Sequence, residues 1–228
     1  MKKVIFFCLM ALVFIPTFGK KIQDESKYHF TAKIDAGLGT NYDTWFIEAK
    51  GEYCPIPYLG INVGIRFQDL CRNNECLHLE NQGQSYLLDD YSTFIYHVLI
   101  HPGLQLYSPC INLDNVGDKI NFSIGYGIFF PFNRCAKGWA YPEPSNNTSL
   151  NTWTPIEVKN KCNDTSFYHE TNIAANLISD RWKFSVGYRI SNLDIYGAAR
   201  KIYNNNEHIN FEKKKTANEI FIGIGYCF

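Results

Sequence analysis

Alternation between apolar and polar side chains, residue by residue, is the feature of this sequence that most restricts its fold. Between positions 58 and 70 the chain reads YLGINVGIRFQDL, in which apolar residues occupy every second position. Successive side chains of a β-strand point to opposite faces, so this period of two predicts a strand with one apolar face and one polar or glycine-rich face. The apolar positions are Leu59, Ile61, Val63, Ile65 and Phe67.

The same pattern recurs along the chain and predicts eight strands in all. Besides 58–70, the predicted strands span 28–39, 44–53, 93–107, 119–130, 167–178, 181–191 and 219–228. The second, fourth and sixth connections are comparatively short and rich in Pro, Asn, Asp or Gly, whereas the third, fifth and seventh are long. We therefore expect an antiparallel meander with short turns at one end and long loops at the other.

Eight alternating strands fit two kinds of barrel. A soluble lipocalin-like barrel turns its apolar face inward around a ligand, and a transmembrane barrel turns it outward into lipid. Here the polar face combines charged residues with many glycines, which leave room in a narrow lumen, and aromatic residues lie near the strand ends, as at membrane interfaces. These features favour an all-β fold, an eight-stranded antiparallel up-and-down transmembrane β-barrel.

Five acidic and five basic side chains fall on the predicted lumen face. An eight-stranded barrel has an interior just wide enough for side chains to fill, so we expect these residues to form a packed ion-pair network that plugs the lumen. A narrow ion path or a proton relay is the alternative, although equal numbers of acids and bases do not make a selective channel. The ten residues are Lys33, Asp35, Glu48, Lys50, Glu52, Arg66, Glu170, Lys183, Arg189 and Glu219.

The first residues predict export. Lys2 and Lys3 precede an unbroken apolar run at 4–15, and a short boundary ends at Gly19, an arrangement typical of a bacterial secretory signal peptide. The chain is therefore divided into a signal peptide, 1–19, and one barrel domain, 20–228. The 22 basic and 22 acidic residues balance, which argues against a nucleic-acid partner.

Eight cysteines are present, and Cys8 lies in the predicted signal peptide. An exported chain meets an oxidising compartment, in which cysteines tend to pair. Positions within one connection, or in adjacent turns, make three disulfides plausible, and buried thiols are the alternative because sequence does not fix connectivity. Cys227 would remain unpaired on the lumen face. The three pairs are Cys71–Cys76, Cys135–Cys162 and Cys54–Cys110.

The chain ends in FIGIGYCF, which puts Ile222, Ile224, Tyr226 and Phe228 on the apolar face of the last strand. With the N-terminal signal and eight amphipathic strands, this ending resembles the small eight-stranded outer-membrane barrels of Gram-negative bacteria, and the composition is similar to that of Bacteroidetes members. The resemblance implies a place in the bacterial outer membrane, among lipid and lipopolysaccharide. It also implies insertion by the barrel-assembly machinery, which in that family reads the C-terminal strand.

The segment GYRISN, 187–192, is similar to the catalytic strand of outer-membrane lipid A deacylases. Ser191 and Asn192 match that pattern, but Arg189 stands where the family has its histidine, so the general base is missing. Ser191 is the one candidate nucleophile. His97 and His101 share a face but lie about 13 Å apart along a strand, too far for one metal ion, so core or interface positions are expected and neither a metal nor a cofactor.

Two classes of function follow. The long loops favour a non-catalytic surface protein, in which the barrel is a structural anchor and the extracellular loops bind a ligand or a host partner, or mediate adhesion. The alternative is a lipid A deacylase-like enzyme or, if the barrel is soluble, a lipocalin-like ligand-binding protein.

Overall fold

The computed structural model describes residues 29–41, 44–70, 78–81, 84–88, 94–113, 117–142, 156–159, 167–195, 202–204, 207–209 and 216–228. The predicted signal peptide, 1–19, lies outside these residues. No helix within the described residues is long and apolar enough to cross a membrane. The strands, numbered in chain order, are β1 (Phe30–Gly39), β2 (Thr44–Ile56), β3 (Leu59–Leu70), β4 (His78–Asn81), β5 (Gln84–Leu88), β6 (Phe94–Tyr107), β7 (Ile111–Asn112), β8 (Lys119–Pro142), β9 (Ile156–Lys159), β10 (Tyr168–Ser179), β11 (Trp182–Ser191), β12 (Ile202–Asn204), β13 (Glu207–Ile209) and β14 (Ala217–Cys227).

Eight of these strands close into one barrel. Each pairs antiparallel with the next in the order β1, β2, β3, β6, β8, β10, β11 and β14. The last strand returns to the first, with the register running from Thr31 opposite Cys227 to Gly39 opposite Glu219. The predicted eight-stranded antiparallel up-and-down barrel is therefore confirmed, and its closure leaves no unpaired edge.

The long-loop end rises further above the barrel than the sequence pattern predicts. β8 continues from Phe130 to Pro142, where it pairs with β6, β5 and β9. Apolar and polar residues do not alternate in this stretch. The pairing is also irregular, because Pro131 has no backbone N–H to donate to the ladder and the register between β6 and β8 shifts between Val98 and Leu99. Two short hairpins lie in the other long connections, β4–β5 between β3 and β6, and β12–β13 between β11 and β14.

The barrel carries its apolar residues on the outside and its polar residues on the inside. Ile34 exposes 52 % of its surface and Ile65 exposes 63 %, whereas their inward-facing neighbours Asp35 and Arg66 expose none. A lipocalin-like barrel would have the opposite arrangement. The exposed apolar belt includes Leu38, Ile47, Ile61, Val63, Leu104, Phe122, Ile124, Ile173, Val186, Ile190, Ile220, Ile222 and Ile224.

Glycines on the inner face make room for large inward-facing rings. Gly37 lies opposite Phe46, and a Cβ atom on Gly37 would come within 2.5 Å of that ring. Gly187 lies opposite Phe221, and a Cβ atom there would again come within 2.5 Å of the ring. Phe46 and Phe221 are almost completely buried and pack together with Ala174. The glycines of the polar face therefore permit an aromatic layer inside the barrel.

Closure between β1 and β14 can be tested with paired cysteines. Ile34 and Ile224 are register partners on the outer face, and opposed residues of antiparallel strands have Cα atoms about 4.5–5.5 Å apart, within disulfide range. We expect the double substitution Ile34→Cys and Ile224→Cys to give a 34–224 disulfide under mild oxidation, detected by mass spectrometry of proteolytic peptides. The pair Ile34→Cys and Val186→Cys, separated by the whole of β14, should not link. An open sheet would give neither product.

Candidate functional site in the barrel interior

The ten charged residues predicted for the lumen face all lie on the inside of the barrel. They are contributed by β1, β2, β3, β10, β11 and β14, and each makes at least one ion pair with another member of the set. The strand period of two brings them to one side because they occupy alternate positions. Six of them are exposed by 1 % or less, namely Asp35, Glu48, Arg66, Glu170, Arg189 and Glu219.

Arg189 is the centre of this set. Its Nη1 atom lies 3.0 Å from Glu48 Oε2, and its Nε atom lies 3.1 Å from Glu170 Oε2. Asp35 and Glu219 approach the same guanidinium at 3.8 and 4.0 Å. Four carboxylates from four different strands therefore converge on one cation, which holds opposite walls of the barrel together. A charge so deeply buried is tolerated only when it is paired in this way.

A second arginine, Arg66, extends the centre towards β3. Its guanidinium pairs with Glu219 and donates a hydrogen bond to Gln68 at 2.8 Å. Gln68 in turn donates to Glu219 at 3.0 Å, so each of the three side chains contacts the other two. Arg66 and Arg189 also lie 3.8 and 4.7 Å from the centroid of the Phe46 ring, distances at which cation–π attraction is favourable.

His101 belongs to the network, although the sequence did not assign it there. Its Nδ1 atom lies 2.5 Å from Glu48 Oε1 and its Nε2 atom lies 3.3 Å from Glu170 Oε2, so the ring bridges two carboxylates that also bind Arg189. The ring fits because it lies over Gly127 of the neighbouring strand β8, where a Cβ atom would come within 2.1 Å of Nε2. Gly127, on the polar face of the neighbouring strand, is the sequence feature from which this position of the His101 ring could have been inferred.

His97 lies in a separate environment near the long-loop end. Its Nε2 atom donates a hydrogen bond to the carbonyl oxygen of Ile195 at 2.7 Å, and the ring is buried. The two histidines therefore have different partners and do not form a joint site. Within the described part of the chain, no group of three or more His, Cys, Asp or Glu residues is arranged to hold a metal ion.

The end of the lumen nearer the short turns contains a smaller polar cluster. Lys183 lies 3.2 Å from Glu52 and donates to the hydroxyl of Tyr107 at 2.7 Å, while that hydroxyl donates to Glu52 at 2.5 Å. Between this cluster and Asp35 lies a cavity of about 20 Å³, lined by polar side chains that include Asn62 and Gln105. A cavity of that size holds about one water molecule.

The segment that follows β11 covers the barrel mouth at the long-loop end. Leu193 and Ile195 are buried, and Leu193 belongs to an apolar cluster with Leu99, Phe129 and Tyr168. This cluster lies above the arginines, since Phe129 also contacts the Arg66 guanidinium at 5.0 Å. The apolar cluster therefore lies between the barrel mouth and the arginines.

Ser191, the candidate nucleophile, lies on the inner face and is 4 % exposed. Its hydroxyl accepts a hydrogen bond from the backbone N–H of Leu193 at 3.4 Å. The neighbouring inward position is occupied by Arg189, whose guanidinium is bound to carboxylates as described above. The hydroxyl therefore faces the lumen and not the outer wall.

The structure does not form the expected Cys54–Cys110 disulfide, and no disulfide joins the described cysteines Cys54, Cys110, Cys135 and Cys227. The expectation treated the two turns as neighbours, but β3 and β6 lie between them. The Cys54 thiol lies 3.7 Å from Glu52, and Cys110 accepts a hydrogen bond from Asn121. Cys71, Cys76 and Cys162, needed for the other two pairs, lie outside the described residues.

The C-terminal residues alternate as the sequence pattern requires. Ile222, Ile224 and Phe228 are exposed on the outer wall, and Tyr226 packs edge-on against Trp182 at 5.2 Å between ring centroids. Cys227 points inward, where its sulfur accepts a hydrogen bond from Thr31 at 3.5 Å.

No protein-family model and no curated protein matches the chain. Among solved structures, Neisserial surface protein A is similar with a TM-score of 0.40 and 10 % identity over 88 % of this chain and 97 % of that chain. A major outer membrane protein from Thermus thermophilus gives 0.40 and 9 % over 87 % and 98 %. A chain from the de novo design of transmembrane β-barrels gives 0.38 and 11 % over 87 % and 94 %.

Removal of Arg189 should destabilise the barrel strongly. The substitution Arg189→Met keeps a long side chain but leaves Glu48 and Glu170 buried without their main cation, which costs about 3–5 kcal/mol in comparable buried pairs. The matched control Arg181→Met removes an exposed arginine and should cost at most about 1 kcal/mol. Guanidinium unfolding in detergent, followed by tryptophan fluorescence, measures both. Equal effects of the two substitutions would contradict a central role for Arg189.

Proposed function

We propose that the chain is an integral outer-membrane barrel protein, exported by its N-terminal signal peptide, that acts without catalysis as an anchor for an extracellular binding surface. The observation that carries the proposal is the inversion of the barrel, in which large apolar residues are exposed all around the wall while charged residues are buried inside. In water such a wall would be an aggregation hazard, whereas in lipid it is the favourable surface.

Aromatic rings at both ends of the strands support a membrane position. Trp45, Phe67 and Tyr96 form a chain of ring contacts towards the long-loop end, with centroids 5.5 and 5.6 Å apart. Towards the short turns, Phe30 and Phe228 lie 5.9 Å apart. Aromatic residues prefer the two membrane–water interfaces, so these rings suit the upper and lower borders of the bilayer. The apolar belt lies between them.

The filled lumen supports an anchoring role rather than transport. The ten charges, five of each sign, neutralise one another through short contacts, and Arg189 at the centre has no solvent exposure. A conducting path would need water along the axis, but the cavity near the short turns has room for about one molecule. We therefore assign the network a structural role as a plug.

The long-loop end is the surface best suited to binding. The extension of β8 to Pro142 pairs with β5 and β9, so paired strands continue beyond the closed barrel. Loops held by a rigid scaffold commonly carry binding sites, and short turns at the opposite end offer little surface. In the outer membrane the long loops of such barrels face the exterior, which makes an extracellular ligand or a host partner the appropriate class.

A charge on the outer wall tests the membrane environment directly. Ile173 is 55 % exposed midway along β10, and Ile173→Arg should destabilise a lipid-embedded barrel by about 2–4 kcal/mol, as arginine does at the bilayer midplane. The control Leu113→Arg changes a residue of similar exposure at the short-turn end and should cost about 1 kcal/mol or less. Unfolding in lipid vesicles gives both values. A soluble barrel would tolerate, or even gain solubility from, both changes.

Epitope insertion tests the orientation of the barrel. A tag between Asn146 and Asn147, in the longest connection, should be labelled by antibody on intact cells. A tag between Asn115 and Val116, in a short connection, should be labelled only after the outer membrane is opened. Labelling of both tags, or of neither, on intact cells would contradict surface presentation, and recovery of the untagged protein in the soluble periplasm would overturn the membrane assignment.

A further inference from the structure

An open apolar groove lies on the outer wall of the described part of the barrel. Its volume is about 690 Å³, and it is lined by residues of β1, β2, β3, β6, β11 and β14. The smallest outward-facing residues of its lining, Ala32, Ala49 and Gly51, are called its floor here. Ala32 lies opposite Gly51, so the two smallest positions are adjacent across the ladder. Ile34 and Ile65 flank Ala49 on its two sides, and Ile224 lies next to Ile34. The groove is therefore a depression among the large apolar side chains that surround it.

Packing within the protein does not require Gly51 to lack a side chain. A Cβ atom on Gly51 would meet the Phe30 ring at 3.4 Å, which is an ordinary van der Waals contact. By contrast, the inward-facing Gly37 and Gly187 have rings within 2.5 Å of such an atom. The floor faces the proposed lipid phase, so its small size leaves space for something outside the chain.

The rim of the groove nearest the short turns combines aromatic rings with a cation. Trp182 and Tyr226 line the groove there and pack edge-on against each other. Arg181 is exposed in the adjoining turn, and its Nη1 atom donates a hydrogen bond to the Tyr226 hydroxyl at 3.3 Å. This hydrogen bond holds the guanidinium at the groove rim. Asp180, an acidic residue, precedes Arg181 in the same turn. Arginine binds phosphate well because its planar fork offers two parallel donors.

We propose that the groove binds one glycerophospholipid, with an acyl chain along Ala32, Ala49 and Gly51 and the phosphate against Arg181. The inference rests on the proposed membrane position and deepens it by naming a bound lipid at the leaflet nearest the short turns. An acyl chain needs no polar partners and therefore suits an apolar groove. Trp182 and Tyr226 lie where the hydrocarbon region meets the head groups, because such rings prefer the membrane–water interface. The anionic phosphate complements the guanidinium that the rim presents.

Lipid retention by variants with a filled groove is the first test. The double substitution Ala32→Leu and Ala49→Leu adds bulk to the floor, and the control Ala36→Leu and Ala175→Leu adds the same atoms to outward-facing positions away from the groove. Native mass spectrometry of detergent-purified protein, titrated with phosphatidylglycerol, gives the dissociation constant for the first lipid. We expect about tenfold weaker binding for the groove-filled variant and no change for the control.

The head-group contact is tested separately with Arg181→Gln. Phosphatidylglycerol should bind the unsubstituted protein more tightly than diacylglycerol with the same acyl chains, and Arg181→Gln should remove most of that difference. Equal binding of phosphatidylglycerol to the groove-filled and control variants would overturn the proposal. Loss of a dimer rather than of lipid in the groove-filled variant would instead identify a second copy of the chain as the occupant.

Failure of the lipid site can be distinguished from failure of the membrane assignment. Heat-dependent gel migration and recovery in the outer-membrane fraction report folding and insertion for each variant, independently of bound lipid. A groove-filled barrel that inserts normally but keeps its lipid refutes only the site. Soluble, periplasmic protein refutes the membrane position on which the site depends.

Discussion

The convergence of four carboxylates on the Arg189 guanidinium is the interaction on which the rest of this structure depends. Most large apolar residues of this barrel face outward, so the two small apolar clusters inside it are supplemented by polar contacts between its walls. Asp35, Glu48, Glu170 and Glu219 come from four strands and meet one cation. Because water is excluded there, each contact is stronger than it would be at a surface, and each missing partner is more costly.

The aromatic rings and glycines of the inner face are a consequence of this arrangement. Two arginine planes need flat partners in a narrow lumen, and Phe46 lies close to both. A phenylalanine can enter only if the neighbouring strand offers a position without a side chain, which Gly37 does for Phe46 and Gly187 does for Phe221. The arginines, the phenylalanine rings and the glycines of the inner face are therefore packed as one unit.

The barrel was predictable from the sequence because period two is read directly from adjacent residues and depends on nothing distant. The strands follow from that period, the antiparallel order from the alternation of short and long connections, and the inward position of residues such as Glu48 and Arg189 from the glycines that share their face. His101 and Phe46 were not assigned to the network, since their roles depend on which glycine lies beside them on a neighbouring strand, and register is set by the whole closed sheet.

Two further features depended on relations between distant elements. The extension of β8 beyond Phe130 is stabilised by β5 and β9, so its pairing comes from distant segments and its own pattern is irregular. The Cys54–Cys110 pairing was wrong because the distance between turns depends on how many strands separate them around the barrel.

A lumen filled by mutually paired charges also restricts where function can reside. Each of the ten inward-facing charges is already bound to a partner within the chain, so binding a new ligand inside would require breaking contacts that hold the barrel closed. The proposed binding surfaces lie on the outside, in the long-loop extension and in the groove, where Ala32, Ala49 and Gly51 leave volume. Substitutions in the interior should therefore act on stability, and substitutions at these two outer surfaces should act on recognition.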